Sequence, residues 1–275
     1  MLEISLRKKK KRIARRALFA GLGEGIWRFR EALPFDGRTE PVTLNEGNTP
    51  LIRLRNLRVA GKVAALYCKN DGQNPTGSFK DRGMSVALTR AKELGAKALV
   101  CASTGNTAAS LAAYAAKARM TAVVVVPKGN VAKGKLGQAF AYGARVFGVD
   151  GNFDAALKTV FELVKADRRF YLVNSVNPFR IEGQKVAAFE TYEQLGRVPD
   201  YVVLPVGNAG NISAIWKGFK ELRAFGIAKK LPKMIGVQAE GAAPFAEALA
   251  TRRDLRPWSE PRTVASAIKI GNPIS

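Results

Sequence analysis

Residues 74–83 read NPTGSFKDRG, a turn-forming run set directly ahead of a lysine. Asn, Pro and Gly punctuate the chain there, so Lys80 stands where a turn passes into a helix. The start of a helix carries partial positive charge that disfavours an ammonium, and partial burial disfavours it further. Both effects depress the lysine pKa and leave a nucleophilic amine able to form a Schiff base with a carbonyl compound. On this stretch alone, a solvated lysine opening a helix is the plainer alternative.

Three other loops hold groups that such an amine would need. GNAGN at 207–211 offers backbone N–H groups with little side chain in the way, just before a helix, which makes an anion cradle or simply a tight strand-to-helix turn. STGNTAAS at 103–110 packs hydroxyls and an amide around Gly105, and is also ordinary helix-capping material. NSVNPFR at 174–180 adds amides, a hydroxyl and a guanidinium, the set that orients a phosphate or carboxylate. A Schiff-base lysine, a separate phosphate cradle and an amide near an aromatic hydroxyl together make the set a pyridoxal phosphate site requires. A rival, GNVAKGKL at 129–136, follows the pattern G-x-x-x-x-G-K but has Leu136 where a P-loop needs a hydroxyl for magnesium, and reads better as a basic loop.

Those loops need a scaffold, and the chain spells one out. ALYCK (65–69), ALVCA (98–102), TAVVVVP (121–127), RVFGV (145–149), FYLVN (170–174), YVVLPV (201–206) and MIGVQ (234–238) are continuous apolar runs, the pattern of strands buried on both faces. Between them lie helical stretches: FKDRGMSVALTRAKELG, NTAASLAAYAAKA, NFDAALKTVFELVKA, RIEGQKVAAFETYEQLG and AGNISAIWKGFKELRAFG. The alternation predicts an α/β fold of mostly parallel sheets covered by helices, with ligands at the carboxyl ends of strands.

Composition narrows the chemistry. The 275 residues, 47% hydrophobic and 24% charged, suffice for one large or two smaller domains. Two cysteines fit a reducing compartment, and the cytoplasm is the expected location. Histidine is absent, which excludes a Ser-His-Asp triad, a Cys-His pair and every histidine-based metal site. The net charge of +23 raises polyanions as partners, but its densest cluster, RKKKKRIARR at 7–16, reads as a solvated, disordered tail. No run reaches the roughly 20 apolar residues of a membrane helix, and the remaining positive charge is scattered among helix faces without a basic-aromatic ladder, so neither a membrane nor nucleic acid is expected as a partner.

Several stretches, in order, resemble one family of pyridoxal phosphate enzymes, the threonine synthases of the tryptophan-synthase-β-like class. They are NEGNTPLIRL (45–54), NPTGSFKDRGM (74–84), CASTGNTAAS (101–110), VNSVNPFRIEGQK (173–185), LPVGNAGNISA (204–214), GVQAEGAAP (236–244) and IKIGNPIS (268–275). Threonine dehydratases and cysteine synthases share the lysine motif; NSVNPFRIEGQK and GNPIS resemble threonine synthases in particular. The resemblance runs from about Gly25 to the last residue. It implies a two-domain fold type II enzyme with a larger domain from 25–83 and 179–275 and a smaller α/β domain at 84–178; ahead of them the charge pattern marks 1–24 as a basic, disordered tail. Such enzymes continue past the GNP-x-S motif, so the C-terminal part of the larger domain is expected to be missing here.

The resemblance further implies pyridoxal 5'-phosphate as cofactor, held by Lys80 as the Schiff-base and proton-shuttling lysine. It makes Asn106 the partner of the ring hydroxyl, and Gly207, Asn208, Ala209, Gly210 and Asn211 the cradle of the cofactor phosphate. Ser103, Thr104 and Thr107 would contact substrate, and Asn174, Ser175 and Arg180 its phosphate. The implied reaction turns O-phospho-L-homoserine and water into L-threonine and phosphate, in a homodimer. A threonine or serine dehydratase is the alternative within the class, and an inactive chain binding polyanions through its tail the alternative outside it.

Overall fold

The computed structural model describes residues 4, 13–21, 23–57, 60–129 and 133–273. In chain order the elements are α1 (Arg15–Phe19), β1 (Leu51–Arg53), β2 (Tyr67–Lys69), α2 (Lys80–Glu93), β3 (Ala98–Ala102), α3 (Asn106–Ala118), β4 (Thr121–Pro127), α4 (Lys133–Ala141), β5 (Arg145–Val149) and α5 (Phe153–Ala166). They continue with β6 (Phe170–Leu172), α6 (Pro178–Gln184), α7 (Val186–Leu195), β7 (Tyr201–Pro205), α8 (Gly210–Ala224), β8 (Lys233–Val237) and α9 (Pro244–Thr251).

A four-stranded, all-parallel sheet in the order β5-β4-β3-β6 forms the first layer. Its inner strands β3 and β4 are buried along almost their whole length. Successive side chains point to opposite faces. Leu99, Cys101, Val124 and Val126 therefore join the core under α2 and α3, while Val100, Ala102, Val123 and Val125 pack against Ala156, Leu157 and Val160 of α5. Residues that are apolar at every position make such a two-sided strand possible.

The expectation of two-faced burial fails for β5, β7 and β8. β5 is an edge strand. β7 and β8 form a parallel sheet of two strands, with Leu204 and Val206 buried on one side and Tyr201 at 56%, Val203 at 60% and Val237 at 50% exposure on the other. An apolar run records what a strand could bury, not what covers it. ALYCK differs too: β2 pairs antiparallel with β1, a three-residue strand too short to carry a readable period, and joins neither parallel sheet.

The single helix expected over RIEGQKVAAFETYEQLG is two. Between α6 and α7 the ladder tightens at Lys185, whose carbonyl accepts from Ala188 N at 3.0 Å, three residues on. The backbone of α8 crosses at that point, where a Cβ on Gly218 would lie 2.4 Å from the Lys185 oxygen.

The N-terminal segment also departs from expectation. Residues 1–3 and 5–12, which hold most of the basic run, lie outside the described residues. Residues 13–19 are not a solvated tail: Ile13 and Leu18 are buried in the core built by Ile26, Phe29, Phe189 and Leu222. Phe19 stacks on Tyr192 with centroids 5.9 Å apart and meets Phe29 edge-on at 6.1 Å. The charges of this segment hid three apolar residues able to form one buried face. Replacing Leu18 by alanine is expected to cost about 2–3 kcal/mol in urea unfolding, as for other buried leucines, where a tail residue would cost almost nothing.

Candidate active site

Helices α2 and α6 cross without side chains between them. A Cβ on Gly83 would lie 2.8 Å from the Arg180 carbonyl oxygen, and one on Gly183 would lie 1.9 Å from that of Arg82. The two glycines thus bring the start of α2, Lys80, against the start of α6, Arg180. Lys80 is partly buried, with its Nζ 3.9 Å from the Phe79 ring centroid. Burial first, and the charge of Arg180 second, depress its pKa to about 7. That amine is half neutral near pH 7, as proton transfer requires.

Arg180 is 2% exposed. One terminal nitrogen donates to the Val173 carbonyl at 3.0 Å, while Nε has no hydrogen-bond partner. No ion pair among the described residues involves it, and burial brings its pKa down to about 10. Cys101 lies nearby, its thiol pushed up to about 12 by burial and so uncharged, and offers no anion. A buried guanidinium without a carboxylate is costly unless an anion joins it.

The loop after β7 lies beside α6 as well: a Cβ on Gly210 would come 4.0 Å from Ile181 Cδ1, one residue beyond Arg180. Ala209 takes the left-handed conformation, φ +60°, directly before α8. A left-handed residue in a turn favours such gatherings of backbone amides, and the first-turn N–H groups of α8 have no acceptor within the helix. Gly207 is needed for close approach, since a Cβ there would meet Ile270 Cγ1 at 3.2 Å. Asn208 and Asn211 flank the cradle, both partly buried.

The loop after β3 opens α3. Asn106, its first residue, has a buried side-chain oxygen with no hydrogen-bond partner. Gly105 faces open space. Ser103 Oγ accepts from Gly105 N at 3.1 Å, while Thr104 and Thr107 are half-buried beside it. Asn174, buried after β6, is partly committed already: its amide clips the backbone of Ala102 through two 3.0 Å bonds, which leaves it one donor and one acceptor position. Ser175 is half-buried next to it. Of the P-loop rival, residues 130–132 lie outside the described residues, and Leu136 is buried apolar core.

These groups fit pyridoxal phosphate. A depressed lysine, an unpartnered amide oxygen and a loop of backbone amides with little side chain in the way are what its carbonyl, ring hydroxyl and phosphate require. Residues 42–275 match the model of the pyridoxal-phosphate dependent enzyme family. The chain belongs to that family. It is 56% identical over 253 residues to the threonine synthase of Methanocaldococcus jannaschii, covering 91% of this chain and 62% of that one. To the threonine synthase of Synechocystis sp. it is 53% identical, covering 89% and 62%. The chain thus spans less than two thirds of the length of these relatives. Among solved structures it is similar to a threonine deaminase from T.th., at 30% identity with a TM-score of 0.67, over 81% of this chain and 70% of that one.

As a member of the pyridoxal-phosphate dependent enzyme family the chain has the fold type II arrangement, an α/β fold with parallel sheets. Among the described residues no helix is long and apolar enough to cross a membrane. Sequence reasoning missed the residues that hold this site in place. Asp81, 0% exposed, accepts from Thr76 N at 2.7 Å, Thr76 Oγ1 at 2.6 Å and Ser110 Oγ at 2.6 Å. Arg82 forks onto Glu190 and Asp71. Tyr114 donates to buried Glu46 at 2.7 Å, and burial raises that carboxyl above its usual range. The only sequence signal was a run of charge, KDR, at the start of an otherwise apolar helix.

Proposed function

We propose that this chain carries the cofactor and substrate groups of a threonine synthase, acting on O-phospho-L-homoserine. The observation that carries the reading is Arg180, a buried guanidinium with an open Nε beside the depressed Lys80 amine. An amino-acid substrate with a phosphate at its far end brings the anion that Arg180 lacks. The names of the relatives, at 50–56% identity, support the same choice.

In this reading Lys80, Asn106 and the cradle 207–211 hold pyridoxal phosphate. When bound, the cofactor supplies an electron sink that acidifies the carbon bearing the substrate amino group. Lys80 Nζ takes up that proton and later returns it; a pKa of about 7 serves both directions. Arg180, with Asn174 and Ser175, holds the substrate phosphate and stabilises it as the Cγ–O bond breaks. Ser103, Thr104 and Thr107 orient the amino-acid end. The β-carbon gives up one proton as phosphate leaves, the γ-carbon takes a proton and ends as a methyl group, and water adds its hydroxyl at the β-carbon while its remaining proton goes to solvent. Residues 25–83 with 179–275 form the larger unit of the pair, 84–178 the smaller, and two copies assemble.

The test is to incubate the full chain with pyridoxal phosphate and either O-phospho-L-homoserine or L-threonine. Inorganic phosphate and threonine from the first are expected. Ketoacid from L-threonine, with no phosphate from the first, would instead make this a dehydratase.

A further inference from the structure

Lys80 opens α2 and Asn106 opens α3, two helices separated in the chain by β3. Asp81 follows Lys80 directly and is fully buried. Its Oδ1 accepts from Thr76 Oγ1 and from Ser110 Oγ, both at 2.6 Å, and its Oδ2 accepts from Thr76 N at 2.7 Å. Thr76 belongs to the turn that delivers Lys80. Ser110 lies in α3 four residues after Asn106, one turn on and on the same face. One carboxylate therefore ties the turn before the lysine to the helix that carries the amide.

Arg82 binds the other way. Its guanidinium takes Glu190 of α7 through 2.8 Å contacts from both terminal nitrogens, and Asp71 Oδ1 at 2.9 Å. The residues after Lys80 thus anchor α2 to α3 on one side and to α7 on the other. Of the two anchors, the one through Ser110 leads to a group expected at the cofactor.

We propose that Asp81 is a positioning residue, acting through Ser110 and Thr76 to hold the Lys80 amine in register with Asn106. The inference rests on the reading that Lys80 and Asn106 hold the cofactor. It gives the acidic residue of the KDR run a task separate from folding: Asp81 sets where the amine points and how much water reaches it. Without the Ser110 contact, the turn at Thr76 and the first turn of α3 separate, and water reaches Nζ.

The experiment compares this chain as wild type with Ser110→Ala, Asp81→Asn, Ser110→Thr and Ala112→Gly. Ala112 is buried in the same helix, so Ala112→Gly weakens α3 by about 1 kcal/mol without touching the carboxylate. Two quantities are read: the pH midpoint for modification of Lys80 by a limiting amine reagent, located by mass spectrometry without cofactor, and the dissociation constant for pyridoxal phosphate. Ser110→Ala is expected to raise the midpoint by about one pH unit and to weaken cofactor binding about tenfold. Asp81→Asn, which also removes a neighbouring negative charge that favours the ammonium, is read on cofactor binding and should weaken it about tenfold. Ser110→Thr, which keeps the hydroxyl, restores both, and Ala112→Gly moves neither.

An unchanged midpoint in Ser110→Ala would overturn the proposal, as would an equal change in Ala112→Gly. If Asp81→Asn fails to fold, Ser110→Ala decides alone. Failure of wild type to bind pyridoxal phosphate would overturn the function instead, and the labelling midpoints would still report on the Asp81 contact.

Discussion

Replacing Lys80 by alanine is expected to abolish covalent retention of pyridoxal phosphate, read as the loss of the cofactor mass after borohydride reduction. Its visible absorbance band should go with it. Phosphate release from O-phospho-L-homoserine should fall at least about a thousandfold, since one group is lost as nucleophile and as proton carrier together. The structure explains why another lysine cannot substitute. The amine must sit at the α2–α6 crossing, where burial and the charge of Arg180 depress its pKa to about 7 and where Gly83 and Gly183 let the two backbones meet. Added primary amines would restore part of the proton transfer but none of the covalent retention. Unchanged retention in Lys80→Ala would mean that a different amine holds the cofactor, and the site built around Lys80 would fail.

The second large effect concerns stability. Arg82 is fully buried and its fork is filled: Nη1 and Nη2 each reach a Glu190 oxygen at 2.8 Å, Nη2 also reaches Thr49 Oγ1 at 3.0 Å, and Nε reaches Asp71 Oδ2 at 3.1 Å. Lys69 adds a 2.7 Å contact to Glu190, and Asn48 N another at 2.8 Å. Removing Arg82 leaves the Glu190 carboxylate buried with part of its countercharge gone, at a cost of about 3–5 kcal/mol in urea unfolding. Arg82→Lys should recover little of this, because an ammonium cannot bond two carboxylates in one plane.

The same network sets a pH response. Burial alone would push Glu190 up, but the charge and hydrogen bonds of Arg82, then Lys69, outweigh it and hold the carboxyl at about 2. A carboxylate depressed below its ordinary value of 4.5 contributes stability that is complete above that value and is lost as pH falls toward 2. Wild type is therefore expected to lose stability through that window more steeply than Arg82→Ala. Parallel curves would show that the pair carries no such linkage.

Local signals carried much of the site. The Gly-rich loop and the turn ahead of Lys80 are written in residue types with narrow conformational uses, and continuous apolar runs marked β3 and β4. What escaped was whatever depends on a distant partner. That Asp81 meets Ser110 and that Arg82 meets Glu190, 108 positions away, follows from the packing of α2 against α3 and α7 rather than from any local period. The N-terminal segment failed for the opposite reason: its charge pattern was legible, but three apolar residues outweighed it once Tyr192 and Phe29 were placed beside them. Sequence shows the donors and acceptors of Asn174 but not their engagement with the backbone of Ala102.

The two-stranded sheet of β7 and β8 has a bearing on ligand affinity. β7 delivers the cradle at 207–211 directly, so the geometry of the anion site is only as well defined as that sheet. Binding and sheet order share one thermodynamic cycle. An anion that prefers the ordered loop tightens the strands by the same free energy with which covering the open face of Val203, Ile235 and Val237 tightens the hold on the anion. β7 carries Val203 and leads into residue 207, so the exposed face and the loop share one strand.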